Sequence, residues 1–387
     1  MGFGTSSKMS EYLPYGRQWI DEDDVQAVVD VLRSDFLTTG PAVGRFEAAL
    51  RQATGAHHAV AVNSGTSALH AMYFAAGVGP GDEIITSPLT FVATANAALY
   101  LGAHVRFVDV EADTGNIDPE LVETAITDRT KAIVAVDFAG HPADYTQLRE
   151  IADRHGLRLL ADAAHSLGAT HEGRPVGTLA DATALSFHPV KPVTTAEGGA
   201  VVTNDSNIAQ RAARFRTHGI TKTQDEFEVP DEGPWWYEQH DLGFNYRLSD
   251  IQAALGTSQL EKLDRFITRR RAIARLYDEA FSDLDTVEAP GRRGNVEPGW
   301  HLYTLHTRDS KHRRSLFENL KAHGMGVQVH YLPVYWHPYY QRLGFERGHC
   351  HEAEIYSSTS ISIPIYPAMT DSDALRVVDT IERQDEI

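Results

Sequence analysis

Four short stretches carry residues whose types and spacing could do chemistry. Lys191 closes Ser186-Phe187-His188-Pro189-Val190-Lys191 and is followed by Glu197-Gly198-Gly199. A lysine on a glycine-flanked loop can have its amine pKa lowered and act as a nucleophile. A solvated surface cation is its ordinary reading. Asp162 stands among small residues in Ala161-Asp162-Ala163-Ala164-His165, at the end of an apolar run. A buried carboxylate there needs a cationic partner, such as a protonated pyridine nitrogen; a helix N-cap is the plainer role. Asn63-Ser64-Gly65-Thr66-Ser67 follows another apolar run. Small residues there would present backbone N–H groups, with the Thr66 and Ser67 hydroxyls, to an anion, or simply form a capped turn. Phe91, in Pro88-Leu89-Thr90-Phe91, could stack on a flat ring or fill the core.

Taken singly, each stretch has an ordinary structural reading. Taken in order, an anion turn, an aromatic ring, a carboxylate, a serine and a lysine are the parts that a pyridoxal 5′-phosphate (PLP) site requires.

Such parts must be carried by a scaffold. The runs 58–62, 83–86, 104–108, 131–136, 158–161, 183–186 and 199–203 read as buried strands. Helical spacing marks 21–33, 67–76, 92–101, 119–126 and 144–155. The alternation implies an α/β fold with a mainly parallel sheet between helical layers. In that architecture ligands bind beyond the carboxyl ends of the strands, where all four stretches fall. One long helix is expected from Ser249 to about Phe281, followed by a smaller C-terminal α+β domain. The expected division is an arm at 1–20, a large domain at 21–258 and a small domain at 259–387. The polar segment 221–239, with Trp235 and Trp236, reads as a loop or lid.

Composition narrows the partners. The 387 residues carry a formal net charge of −18, which argues against nucleic acid and anionic membranes. The single cysteine, Cys350, permits no disulfide within the chain. His349-Cys350-His351 reads as loop packing, since adjacent side chains rarely chelate one ion, and no metal is expected. Residues 1–10 lack a secretory h-region, and no run of about 18 apolar residues occurs, so a cytoplasmic protein is expected.

The stretches 35–41 (DFLTTGP), 63–66 (NSGT), 162–165 (DAAH), 186–191 (SFHPVK), 197–199 (EGG), 243–247 (GFNYR) and 362–367 (SIPIYP) resemble the DegT/DnrJ/EryC1/StrS sugar aminotransferases of PLP fold type I. Within that group, 87–96 (SPLTFVATAN), 113–118 (DTGNID) and 136–142 (VDFAGHP) look like the 4-aminotransferase of the pseudaminic acid pathway. The resemblance implies Lys191 as the Schiff-base lysine and Asp162 as partner of the pyridine nitrogen. It implies Phe91 against the ring, Gly65, Thr66 and Ser186 on the phosphate, and His165 near O3′. Asn245 would reach the phosphate from a neighbouring subunit of a homodimer, with Arg247 beside it. Thr38, Thr39, Arg247, Tyr331, the loop 235–237 and the segment 330–340 are candidates for the substrate. The implied reaction moves an amino group from L-glutamate, through pyridoxamine 5′-phosphate, to C4 of a nucleotide-linked keto-deoxy sugar. UDP-2-acetamido-2,6-dideoxy-β-L-arabino-hex-4-ulose is the expected acceptor, giving UDP-4-amino-4,6-dideoxy-N-acetyl-β-L-altrosamine by ping-pong kinetics. Another UDP- or dTDP-linked 3- or 4-keto sugar is the alternative. A dehydratase relative would have histidine in place of Lys191. A non-catalytic PLP-binding regulator would bind cofactor without glutamate turnover. Ala196 departs from the family's usual glycine before EGG, which implies a slightly altered loop and the same reaction.

Overall fold

The computed structural model describes residues 12–308 and 310–385. Its centre is a seven-stranded sheet. In chain order the strands are β1 (His58–Val62), β2 (Glu83–Thr86), β3 (His104–Phe107), β4 (Thr130–Val136), β5 (Arg158–Asp162), β6 (Ala182–Ser186) and β7 (Gly199–Thr203). Their order across the sheet is β1-β7-β6-β5-β4-β2-β3. All neighbours from β6 to β3 are parallel, and β7 alone runs against both of its neighbours. Near-continuous burial along the central strands follows from helices covering both faces. One apolar core includes Met72, Tyr73 and Ile84 on one side; the other includes Phe46, Ile85 and Leu148.

Register decides where the chemistry meets. Val136 pairs with Asp162 and Asp162 with Ala184, so β4, β5 and β6 end along one edge. Ser186 pairs with Gly199 and Gly199 with Val62, which brings the ends of β6 and β1 to the same edge around the start of β7. The turn at 63–66 and the Lys191 loop therefore begin side by side. Glycine is required at this junction. A Cβ on Gly199 would lie 2.4 Å from the Ser64 carbonyl oxygen, and one on Gly65 would lie 2.8 Å from Ser186 Cβ.

The long helix expected from Ser249 to Phe281 is two helices, α8 (Asp250–Leu260) and α9 (Leu263–Phe281). The interruption comes at Glu261 and Lys262. The Lys262 side chain there contacts Asp21 and lies 2.9 Å from Asp24 Oδ2. Asp24, on the helix α1 (Glu22–Leu32), is fully buried and also accepts from Ser258 Oγ and Gln259 Nε2. Helical periodicity carries no trace of this break, because the cause lies about 240 residues away in sequence. A further helix, α2 (Pro41–Thr54), has glycine as its N-cap. Its first amides are satisfied by Asp250, whose carboxylate accepts from Gly40 N and Ala42 N, both at 2.8 Å.

C-terminal to α9, Val287–Glu288, Tyr303–Thr307 and Ser360–Ile363 form a three-stranded antiparallel sheet. It packs with Ile273, Tyr277 and Val377 in a third core, which Leu13 also joins. Of the expected arm, residues 1–11 lie outside the described residues. Residues 12–15 run along the Gly324–Gly326 turn, and Tyr15 O accepts from Ile365 N at 3.1 Å. Cys350 is buried at the start of the helix His351–Thr359.

Replacing Lys262 with methionine should leave the Asp24 carboxylate buried without its cation. The expected loss is on the order of 3 kcal/mol, read as a lower urea midpoint. Adding Asp24→Asn should recover part of it; no recovery would mean the pair is not what the junction needs.

Candidate active site

The loops after β1, β2, β5 and β6 enclose a cavity of about 490 Å³. Gly65, Thr66, Phe91, Asp162, His165, Ser186, Lys191 and Tyr331 all line it. Residues separated by as many as 266 positions in sequence thus meet at the edge that register sets.

Asp162 is 6% exposed. Its Oδ2 accepts from Thr94 Oγ1 at 2.6 Å and its Oδ1 from Ala164 N at 3.2 Å. Thr90 Oγ1 lies 2.6 Å from Thr94 Oγ1, so a hydroxyl relay holds the carboxylate in one orientation. No helix follows Asp162, only the turn at 164–168, so the N-cap reading is not the one the fold uses. Burial pushes its pKa up, against the lowering effect of Thr94, Ala164 and the Lys191 charge. The carboxylate therefore lacks a sufficient cation of its own.

Lys191 shares the cavity. Desolvation lowers its amine pKa to about 8, while Asp162 pulls the other way. Its loop is pinned from within. Lys191 N donates to His188 O, Thr195 N to Phe187 O, and Phe187 N to Gly198 O. Phe187 is fully buried, edge-on to Phe46 at 5.3 Å. Ala196 adopts φ 66°, the left-handed region in which glycine is at ease. The methyl costs about 1 kcal/mol there.

The turn after β1 opens the helix α3 (Gly65–Ala75), capped by Ser64 Oγ accepting from Ser67 N at 3.0 Å. The amides of Gly65 and Thr66 belong to its first turn, which has no intrahelical acceptors. They lie beside Ser186 with the positive end of the helix dipole, a cradle for an anion. Ser67 is a correction to the expected anion site. Its hydroxyl is taken up by Asn63 Oδ1, to which it donates at 2.7 Å, and Ser67 does not line the cavity.

The far wall is aromatic and imidazole. His165 Nε2 lies 3.2 Å from Tyr331 Oη, and the His165 and His301 rings are 4.4 Å apart. Burial holds His165 and His301 well below the usual histidine range, and His330 down to about 3, with the Lys191 charge adding to each. All three are neutral at physiological pH. Phe91 is 59% exposed at the mouth, so it is not a core residue. A flat ring bearing a basic nitrogen and a phosphate meets a matching group on each side: Asp162, Phe91, and the α3 terminus with Ser186.

Other expected residues stay outside. Thr38, Thr39 and Asn245 are exposed and, like Arg247, do not line the cavity. Backbone bridges join Thr38 to Ser249, Arg247 to Val62 and Asn245 to Thr217, so they form one strip beside the 63–66 turn. In the segment 330–340, His330 and Tyr331 reach the cavity, whereas Tyr335 and Tyr340 are buried core and Tyr339 is exposed. The loop 235–237 does not line it. Sequence reasoning does not single out Tyr15 or His301, which do. Nor does it single out Thr94, although its spacing of four from Thr90 was a readable signal.

Lys191 reactivity should follow pH with a defined sign. An amine with a lowered pKa is protonated below about 8 and nucleophilic above it. Carbamylation of Lys191 by cyanate in the PLP-free protein, followed by peptide mass mapping, should rise through about pH 8 and then level off. Asp162→Asn removes the charge that favours the ammonium form, so the midpoint should move to lower pH. A midpoint that stays or rises would mean that Asp162 does not act on Lys191.

Comparison with known proteins agrees with this geometry. The family profile of the DegT/DnrJ/EryC1/StrS aminotransferases matches residues 18–382. The UDP-4-amino-4,6-dideoxy-N-acetyl-beta-L-altrosamine transaminase of Campylobacter jejuni is 38% identical over 374 residues, 95% of this chain and 96% of that protein. Helicobacter pylori PseC, an aminotransferase involved in the biosynthesis of pseudoaminic acid, superposes with a TM-score of 0.91 at 35% identity, over 97% of this chain and 99% of that one. The PLP form of Spr1654 from Streptococcus pneumoniae, described as a sugar aminotransferase, gives 0.90 at 29% identity, over 97% and 99%. A lysine and a buried carboxylate lining one cavity at the sheet's edge, within a match that spans nearly the whole chain, place this protein in the DegT/DnrJ/EryC1/StrS aminotransferase family, as a PLP-dependent sugar aminotransferase.

Proposed function

We propose that the protein transfers the amino group of L-glutamate to C4 of a nucleotide-linked keto-deoxy sugar. Our preferred acceptor is UDP-2-acetamido-2,6-dideoxy-β-L-arabino-hex-4-ulose, and the product is then UDP-4-amino-4,6-dideoxy-N-acetyl-β-L-altrosamine. The observation that carries the reaction class is Lys191, a desolvated amine with its pKa lowered to about 8, in the same cavity as the buried Asp162. The acceptor is supported by the Campylobacter and Helicobacter relatives and by the 87–96, 113–118 and 136–142 stretches.

Bound PLP supplies a protonated ring that accepts the electron pair released when the donor's Cα–H bond breaks. The residues around it have these proposed tasks. Asp162 keeps the proton on the ring nitrogen, with Thr94 orienting it. Gly65, Thr66 and Ser186 hold the phosphate, Phe91 covers the ring, and His165 sits near O3′. Lys191 Nζ takes the proton from the donor's Cα and, in the second half-reaction, delivers one to C4 of the sugar. Glutamate leaves as 2-oxoglutarate, and the ketone becomes an amine.

The same reading makes the protein a homodimer, with Asn245, and Arg247 beside it, serving the neighbour's site. Support comes from the exposed apolar side chains Phe36, Leu37, Leu242 and Phe244 on the strip that carries Thr38, Thr39 and Asn245. It also retains the division into 21–258 and 259–387, supported by the separate core behind α9. A cytoplasmic location is part of the proposal; no described helix is long and apolar enough to cross a membrane.

Mass spectrometry of products from UDP- and dTDP-linked 3- and 4-keto sugars with glutamate tests the substrate. Amination of the UDP-linked L-arabino 4-ketose at C4 is expected, and preference for another sugar would replace that acceptor. Lys191→Ala should still bind cofactor but lose about 10²–10⁴-fold or more in turnover; near-wild-type amination would exclude Lys191. Mixing Lys191→Ala with Asn245→Asp chains should regain activity, because one site of each mixed dimer has both halves intact. No regain after verified subunit exchange would place each site within one chain.

A further inference from the structure

α9 carries three consecutive arginines. Arg269 pairs with Asp371 at 2.7 Å and Arg271 with Glu297 at 3.0 Å. Arg270, between them, is 0% exposed and has no carboxylate partner among the described residues. Its Nη1 donates to Ile365 O at 2.8 Å, Trp300 O at 3.0 Å and His301 O at 3.2 Å. Its Nη2 makes a longer contact, 3.5 Å, with Val190 O, and Nε has no partner. Burial lowers its pKa to about 9, so it remains charged at neutral pH. A buried charge without a counter-ion is a costly way to fill a core, and a hydrophobic side chain would fill it more cheaply.

The carbonyls that it gathers share one property. Val190 lines the cavity and precedes Lys191, and His301 lines it too. Ile365 holds Tyr15, another lining residue, through its N–H. Three separate wall segments, from the large sheet's edge, from 300–301 and from the C-terminal strand's exit, thus converge on one planar guanidinium. Its fork of donors on a rigid plane suits that task, and an ammonium or a thioether does not.

We propose that Arg270 is a positioning residue for Lys191. Its guanidinium fixes the 190–191 peptide against the 300–301 and 365 segments and so sets where Nζ stands relative to Asp162. This rests on the proposed role of Lys191. Arg270 touches neither cofactor nor substrate; it acts through the peptide that carries the lysine.

The test compares wild type, Arg270→Lys and Arg270→Met as PLP-loaded proteins. Turnover is expressed per PLP bound, and thermal midpoints are measured alongside. Amide hydrogen exchange of peptides covering 186–198 is followed in the PLP-free proteins. Arg270→Lys should keep the fold and PLP uptake and leave the KM for glutamate within about twofold. Its kcat should drop roughly ten- to a hundredfold, the scale on which small misplacements of a reacting group act. Exchange in 186–198 should quicken while β4 and β5 stay protected. Arg270→Met should lose more on both counts. Wild-type kcat per PLP and wild-type loop exchange in Arg270→Lys would overturn the proposal. So would a lower thermal midpoint with unchanged kcat per PLP, or failure of both variants to fold, since each marks Arg270 as a general core residue. Failure of the underlying reading looks different: wild type itself would then take up no PLP, or Lys191→Ala would remain active.

Discussion

The site is organised around a carboxylate taken out of water without a cation to match it. Asp162 ends the central strand β5 with two hydrogen bonds, and burial leaves it reluctant to ionise. A positive group placed in the cavity relieves that cost, and a protonated ring nitrogen is such a group. Lys191 cannot do so fully, because the same desolvation favours its neutral form. Desolvation thus opposes the charged form of both groups, which fits the nucleophile and proton carrier proposed for Lys191.

The second constraint is the field of the whole chain. At −18 the protein repels phosphates at long range, yet its cavity must accept them. The lining contains one lysine and no arginine, and its buried histidines are neutral. In the proposed reading, what this chain itself offers the phosphate is uncharged: the first amides of α3 and the hydroxyls of Thr66 and Ser186. Those donors work only because Gly65 and Gly199 let the backbone close to within contact of Ser186 and Ser64. The donors are preorganised, so their strength depends little on net charge.

Several helices depend on partners far away in sequence for their ends. Asp250 caps α2, and Asp109 accepts from Glu352 N and Ala353 N at the start of the helix His351–Thr359. Lys262 turns the chain between α8 and α9 by meeting Asp21 and Asp24. Arg270 ties the loop of Lys191 to the segments at 300–301 and 365. Each of these ties joins segments far apart in the chain, and only that of Arg270 reaches residues that line the cavity.

Much of this was legible in the amino-acid order. Apolar runs such as His58–Val62, Glu83–Thr86 and Gly199–Thr203 are buried on both faces, so composition alone marks them as strands. Asp162 and Ser186 end strands, and Gly65 and Lys191 follow them, along the edge where an α/β sheet binds its ligand. What local sequence could not carry was anything decided by a distant partner. The break at Lys262 needs Asp24, the start of α2 needs Asp250, and the orientation of Asp162 needs Thr94. Ser67 carries the right hydroxyl but spends it on Asn63, and Arg270 looks like one of three surface arginines until its burial is seen. Periodicity reports which face of an element is apolar. Which polar group is left free, and which buried charge is matched, is settled only when the strand register brings distant segments within hydrogen-bonding distance.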